Sequence, residues 1–324
     1  MRYVHLPHSA TPRQLPFYLA AEEYVARQLP PAEYFFLWQV KPSVIFGRNQ
    51  VAQREVNIAY CRQQGIDMWR RKSGGGCVYA DMGNIMLSYI IPGEQVRLTF
   101  NHYVSLLALV LGKMGIEAKP TGRNDVLIDG RKVSGNAFFH LPGRNIVHGT
   151  LLYDTCMEHM TAAITPPKQK LESKGVSSVR QHITTLREHT ALSIEEVKAL
   201  IKTTLCRDSI ELTPADVAQI EAIEADYHLP DFIFGLNPRY NVTRQARLEG
   251  VGDIEVSLAV KGNVIEDVNM VGDFFLTGDI EQQLIQPLRG CPLTPEALHN
   301  ALPDDIGDTI MNMKKQQLID IILQ

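Results

Sequence analysis

The run Arg70-Arg71-Lys72-Ser73-Gly74-Gly75-Gly76-Cys77-Val78-Tyr79-Ala80-Asp81-Met82-Gly83-Asn84 holds the residue types best suited to chemistry. Three successive glycines carry no Cβ, so the backbone can reach positive φ and turn its N–H groups toward a closely approaching anion. The two guanidiniums can each grip a carboxylate or phosphate through paired hydrogen bonds. The run lacks the Gly-Lys-Ser/Thr ending of a P-loop, and it lacks the strand and helix that frame a dinucleotide fingerprint. Two readings stand side by side: a site for an anionic ligand, or a glycine-rich hairpin with solvated arginines. Cys77 is either a nucleophile with a thiol acidified by the basic loop or a small buried strand residue. The second is preferred, since no histidine is near it in sequence.

A second cluster runs from Gly122-Arg123-Asn124-Asp125 to Asp129-Gly130-Arg131-Lys132-Val133-Ser134-Gly135-Asn136-Ala137. Lys132 is an exposed hairpin lysine on one reading. On the other it opens an apolar face, with Val133, Ala137 and Phe139 on its side of the alternation and small Gly135 between them. An ammonium in such a place needs an anionic partner, such as a carboxylate being activated or the phosphate that activates it. Asp125 and Asp81 could hold Mg²⁺ beside phosphates, or could cap turns and strands. His148 in His148-Gly149-Thr150 is a ligand-facing strand end or a structural histidine. The basic stretch 168–180 reads as a lid or as a solvated loop.

These residues need elements to hold them. Ile66 to Trp69 and Ile85 to Ile91 read as buried strands on either side of the glycine run. Helices are expected over 13–29, around Tyr103 to Met114, from Ser193 to about Cys206 behind a capping box, and from Thr213 to about Tyr227. Tyr34 to Trp38 and Ser43 to Phe46 read as strands joined by a turn. Asp129-Gly130 is a tight turn between two strands, and Asn145 to Tyr153 supplies a neighbour. The expected fold class is α+β, with a largely antiparallel or mixed sheet and flanking helices. A boundary falls near residue 245, within a polar stretch of turn residues that runs from Asn237 to Gly252. Beyond it, a hairpin about Gly262-Asn263 and helices starting near Asp279, Thr294 and Asp308 form a small α+β accessory domain.

Composition narrows the function classes. At 324 residues, with 32 basic against 36 acidic side chains and a net charge of −4, the chain has no global field for nucleic acid or an anionic membrane. The cysteines Cys61, Cys77, Cys156, Cys206 and Cys291 include no Cys-x-x-Cys pair, which argues against a zinc site or a disulfide framework and suits a reducing cytoplasm. No signal-type apolar core follows Met1, and no apolar run reaches membrane-spanning length.

Taken in order, these clusters resemble the lipoate-protein ligase A family of the biotin and lipoate ligase fold group. The likeness runs through Pro42-Ser43-Val44-Ile45-Phe46-Gly47-Arg48-Asn49-Gln50, Arg70 to Asn84, Gly122 to Asp125, Arg131 to Ala137, His148-Gly149-Thr150 and 173–180. It extends to Gly272-Asp273-Phe274-Phe275 in the accessory domain. The resemblance implies a two-step reaction: lipoate and MgATP give lipoyl-AMP and pyrophosphate, and the lipoyl group passes to a lysine of an acceptor domain. It implies that Arg71, Gly75, Gly76, Cys77, Val78, Tyr79, Asn84, Asp125, Lys132 and His148 bind the adenylate. Lys132 would touch both the carboxyl oxygen and the α-phosphate, Asp125 is a possible Mg²⁺ ligand, and 168–180 would order over the product. The implied acceptors are lipoyl domains of 2-oxoacid dehydrogenase E2 subunits and the glycine-cleavage H protein. Cys77 stands where alanine is usual, Gln181-His182 replace Ser-Arg, and Thr185 replaces asparagine.

The nearest rival is a lipoyl or octanoyl transferase that uses a cysteine and no ATP. Thr121-Gly122-Arg123-Asn124-Asp125 contains no such cysteine, and Cys156 lies in Asp154-Thr155-Cys156-Met157 rather than in a Pro-Cys-Gly segment. A biotin ligase and a non-catalytic ligand-binding relative rank below it.

Overall fold

The computed structural model describes residues 1–7, 12–93, 95–121, 124–164, 182–234, 240 and 242–324. The strands of the larger part are β1 (Arg2–His5), β2 (Tyr34–Trp38), β3 (Ser43–Phe46), β4 (Asp67–Arg70), β5 (Val78–Ala80), β6 (Asn84–Pro92), β7 (Ala118–Pro120), β8 (Asp125–Ile128), β9 (Arg131–Leu141), β10 (Arg144–Leu152) and β11 (Asp208–Glu211). Eight of them form one sheet in the order β11-β1-β2-β6-β10-β9-β8-β7. β1 runs parallel to both its neighbours and the remaining pairs are antiparallel, so the sheet is mixed. The other three make a small sheet, β4-β3-β5.

The large sheet is covered on both faces, and β2 shows why. Tyr34 and Phe36 point into one core, while Phe35 between them points into the other. The four longer helices are α1 (Leu15–Gln28), α2 (Val96–Lys113), α3 (Ile194–Leu205) and α4 (Pro214–Tyr227). α1 and α4 fill the first core with Leu15, Leu19, Tyr24, Ile220 and Tyr227. α2 and α3 fill the second with Phe100, Tyr103, Leu107, Val197 and Ile201. Capping boxes start both later helices, Ser193 with Glu196 and Thr213 with Asp216. Tyr34–Trp38 and Ser43–Phe46 are strands as expected, but they lie in different sheets.

The C-terminal part is built on β12 (Val242–Leu248), β13 (Gly252–Lys261) and β14 (Val264–Gly272), all antiparallel. Gly262 and Asn263 turn the expected hairpin with φ of 56° and 63°. Within the stretch read as turn residues, Val242–Leu248 form β12, so a boundary at 245 would cut a strand that pairs with β13 along its length. The helix expected near Asp308 is a single 3₁₀ turn over Ile306–Asp308, and the helical segment starts at Lys315. Asn312 between them takes a φ of 63°, which interrupts any continuous helix. Among the described residues, no helix is long and apolar enough to cross a membrane.

Candidate active site

The glycine run joins β4 to β5, which flank β3 on opposite sides. Its arginines face inward to the protein's own carbonyls. Arg70 donates from Nε to the carbonyl oxygens of Phe232 and Ile233, and from Nη1 to those of Gly47, Arg48 and Gln50. Arg71 reaches Ile45, Gly74 and Gly76 carbonyls at 2.6–3.2 Å, with Nε also 3.0 Å from Ser73 Oγ. Burial lowers both guanidiniums to about 10. The solvated-arginine reading is therefore wrong, and the guanidiniums knit the loop as well as charging it. Two glycines are dictated by space: Gly75 has φ 85°, and a Cβ at Gly47 would sit 2.1 Å from the Gly75 carbonyl oxygen.

Lys132 owes its direction to a bulge. β8 and β9 pair Asp125 with Gly135 and Val126 with Ser134, then the register shifts so that Leu127 faces Lys132. The extra residue puts Lys132 on the face of Asp125, Gly135 and Ala137. Val133, expected on that same side, is instead buried in the opposite core. Lys132 Nζ lies 2.8 Å from Asp125 Oδ1, both side chains being about half-buried. Gly135 makes room for it, since a Cβ there would come within 2.8 Å of Lys132 Cε and Nζ. On the neighbouring strand β10, His148 pairs in register with Ala137 and Thr150 with Gly135. His148 Nδ1 is 2.8 Å from Glu22 Oε2 on α1, and Nε2 is 2.7 Å from Ser73 Oγ.

These groups surround a cavity of about 370 Å³, within the size range of small-molecule sites. Its polar wall includes Arg71, Gly76, Asp125, Lys132, His148 and Thr150; Leu15, Leu19, Trp38, Ile45 and Met86 form an apolar wall. Cys77 and Val78 also line it. Burial drives the Cys77 thiol well above its ordinary range, which suits the structural reading better than a nucleophile. A lining of this mixed kind accepts an apolar chain that carries an anionic group.

Some expected contacts are absent. Gly75 is not part of the cavity wall, and its N–H donates to the Phe274 carbonyl at 2.9 Å. Tyr79 is turned away because β3 pairs Ile45 with Val78 and Val44 with Tyr79, so one pair faces the cavity and the next faces the core. Asn84 is fully buried and accepts the Asp81 N–H. Asp81 caps the same turn, accepting from Gly83 and Cys156 N–H groups. Gly122, Arg123 and 168–180 lie outside the described residues. Conversely, the sequence reading gave no site role to Glu22, to the apolar lining or to five accessory-domain residues on the cavity: Arg247, Asp253, Gly272, Asp273 and Phe275. Glu22 had a legible signal, being a carboxylate at helical spacing from Leu15 and Leu19.

A mixed sheet with a lysine and a basic glycine loop on one partly apolar cavity is the catalytic architecture of the lipoate ligase fold. The chain matches the lipoyl protein ligase A/B catalytic domain over residues 15–206 and the bacterial lipoate protein ligase C-terminus over 237–322. It is 36% identical over 277 residues to lipoate-protein ligase LplJ of Bacillus subtilis, covering 82% of this chain and 83% of that one. A bi-partite lipoate protein ligase from Thermoplasma acidophilum, solved in work that includes its E2 lipoyl domain, superposes with a TM-score of 0.66 at 25% identity, over 74% of this chain and 98% of that one. The fold of P. falciparum LipL1, solved in complex with lipoate, matches 100% of this chain and 98% of that one with a TM-score of 0.78 at 17% identity. The chain belongs to the lipoate-protein ligase family and is an enzyme of that class.

Proposed function

We propose that the cavity takes lipoate with its carboxylate toward Lys132 and that ATP activates it there. The carrying observation is the Lys132 ammonium on the cavity face, set across from the loop Gly76-Cys77-Val78 and an apolar wall. A carboxylate does not acylate an amine until its oxygen is made a leaving group. In the first step the carboxylate oxygen bonds to the α-phosphorus and pyrophosphate leaves. In the second the acceptor's lysine nitrogen attacks the acyl carbon, AMP leaves with the electron pair, and the amine loses a proton. Lys132 and the glycine loop offset charge where it develops on the α-phosphate. Arg71, Gly76, Cys77, Val78, Asp125 and His148 complete the proposed site. Gly75 joins it only when its N–H leaves Phe274, while Tyr79 and Asn84 support it from behind.

Mg²⁺ favours one or two carboxylates with phosphate oxygens. Among the described residues there is no group of three or more metal-ligating side chains, so Asp125 fits as a single ligand to a metal that arrives with the triphosphate. The metal would neutralise phosphate charge. The proposed acceptors are lipoyl domains of 2-oxoacid dehydrogenase E2 subunits and the glycine-cleavage H protein, in the cytoplasm. Catalysis is assigned to the part preceding Val242, and the accessory role to Val242 onward.

Lipoate-dependent exchange of pyrophosphate into ATP, followed by transfer to a lipoyl domain, tests the reading. Absence of that exchange, with octanoyl transfer between carrier domains that needs no ATP and depends on a cysteine, would replace it with the transferase.

A further inference from the structure

Glu22 is 2% exposed on a helix face it shares with Leu15 and Leu19. A carboxylate in such a place is costly to bury unless it is held by hydrogen bonds. Its two oxygens are spoken for. Trp38 Nε1, which can only donate, is 2.8 Å from Ser88 Oγ, so the Ser88 proton is free to go to Glu22 Oε1 at 2.5 Å. Glu22 Oε2 then faces His148 Nδ1 at 2.8 Å as a second acceptor. With the imidazole neutral, its one proton sits on Nδ1, which leaves Nε2 to accept from Ser73 Oγ at 2.7 Å. Ser73 Oγ in turn accepts from Arg71 Nε at 3.0 Å. A buried chain thus runs from α1 through β10 into the glycine loop.

We infer that Glu22 is a positioning residue for the proposed ligase reaction: by holding the Nδ1 proton of His148, it makes Nε2 the acceptor for Ser73 and sets the loop, through Ser73 and Arg71, against the strand face bearing Lys132. The inference rests on the ligase reading only for its catalytic consequence. The hydrogen-bond order stands on the geometry.

The test uses the full chain as wild type, Glu22→Gln, His148→Gln and the double variant. Nitrogen-15 spectra of the His148 ring are expected to show the Nδ1–H tautomer in wild type and its loss or mixing in E22Q. In pyrophosphate exchange, E22Q should lower kcat by about 10- to 100-fold, as loss of an outer-shell partner that fixes an imidazole does at metal sites, with KM for ATP nearly unchanged. The double variant should be no slower than H148Q alone. An Nε2–H tautomer in wild type overturns the inference without reference to any variant. So does a double variant whose defect is the product of the two single ones. Absence of exchange in wild type would instead count against the ligase reading, while the tautomer measurement still decides the role of Glu22.

Discussion

At the scale of single residues, Lys132 and Cys77 share one cavity and call for opposite outcomes. Lys132 is half-buried and pairs with half-buried Asp125, and an ion pair of that kind is worth at most about 1 kcal/mol. Lys132→Ala should therefore melt within a few degrees of wild type while adenylate formation, followed by pyrophosphate exchange, falls by about 100-fold or more. Full activity in that variant would remove the lysine from the site. Cys77 sits in the cavity wall with its thiol raised from 9.0 by burial, so Cys77→Ala should ligate within a few-fold of wild type. The raised value also sets a sign. The unfolded chain releases this proton near 9.0 and the folded chain keeps it, so its stabilising share is whole below that pH and shrinks as pH rises past it. By about pH 10 the loss should reach about 1 kcal/mol. Denaturant midpoints between neutral pH and that point should fall more gently in Cys77→Ala, and parallel slopes would place the thiol outside this linkage.

At the scale of elements, the site depends on the bulge in β9 and on what it lets Lys132 do. Gly135→Ala keeps the strand but puts a Cβ 2.8 Å from the lysine Cε and Nζ. The flexible end of the side chain must yield, so exchange should slow by about tenfold with little loss of stability. An unchanged rate would mean that Lys132 does not act from this rotamer. The same bulge marks the limit of reading the sequence. The Asp129-Gly130 turn, with φ of 50° and 75°, was legible because few residues tolerate that geometry. Lys132 lies on the face of Gly135 and Ala137 as read, whereas Val133 was assigned to that face wrongly: adjacent residues of a strand point to opposite sides, and the bulge sends Val133 into the other core. β12 escaped notice for a related reason: Thr243, Gln245 and Arg247 are polar on its exposed side, and the strand hides its period behind them. The basic glycine loop, Lys132 and His148, singled out by residue type and order, do border one cavity. Tyr79 was misplaced because β5 is only three residues long, too short to show which face each side chain takes.

At the scale of the whole molecule, the accessory part has its own core, built from residues such as Val256, Leu284, Leu298 and Ile319, yet two of its side chains, Phe275 and Met311, are lodged in the catalytic part's second core. Phe275 is 3% exposed within the catalytic part's second core, its ring stacked 5.7 Å from that of Phe138. The neighbouring backbone is committed as well. The Phe274 carbonyl accepts from Gly75, Gly272 N–H donates to the Asn49 carbonyl, and a Cβ at Gly74 would lie 2.6 Å from the Phe274 oxygen. One aromatic anchor thus joins two cores directly over the glycine loop, and the parts should unfold together. Removing a buried phenylalanine side chain costs about 3–5 kcal/mol. In Phe275→Ala that loss falls on the junction and leaves the accessory core intact. Calorimetry should show one transition in wild type and two in Phe275→Ala, the accessory core surviving as a separate melting unit. A single transition at a merely lower temperature would mean that Phe275 is an ordinary core residue and that the parts are coupled by other contacts. Pyrophosphate exchange in the same variant should fall even where both parts remain folded, because Phe275, Asp273 and Arg247 line the cavity that Lys132 faces.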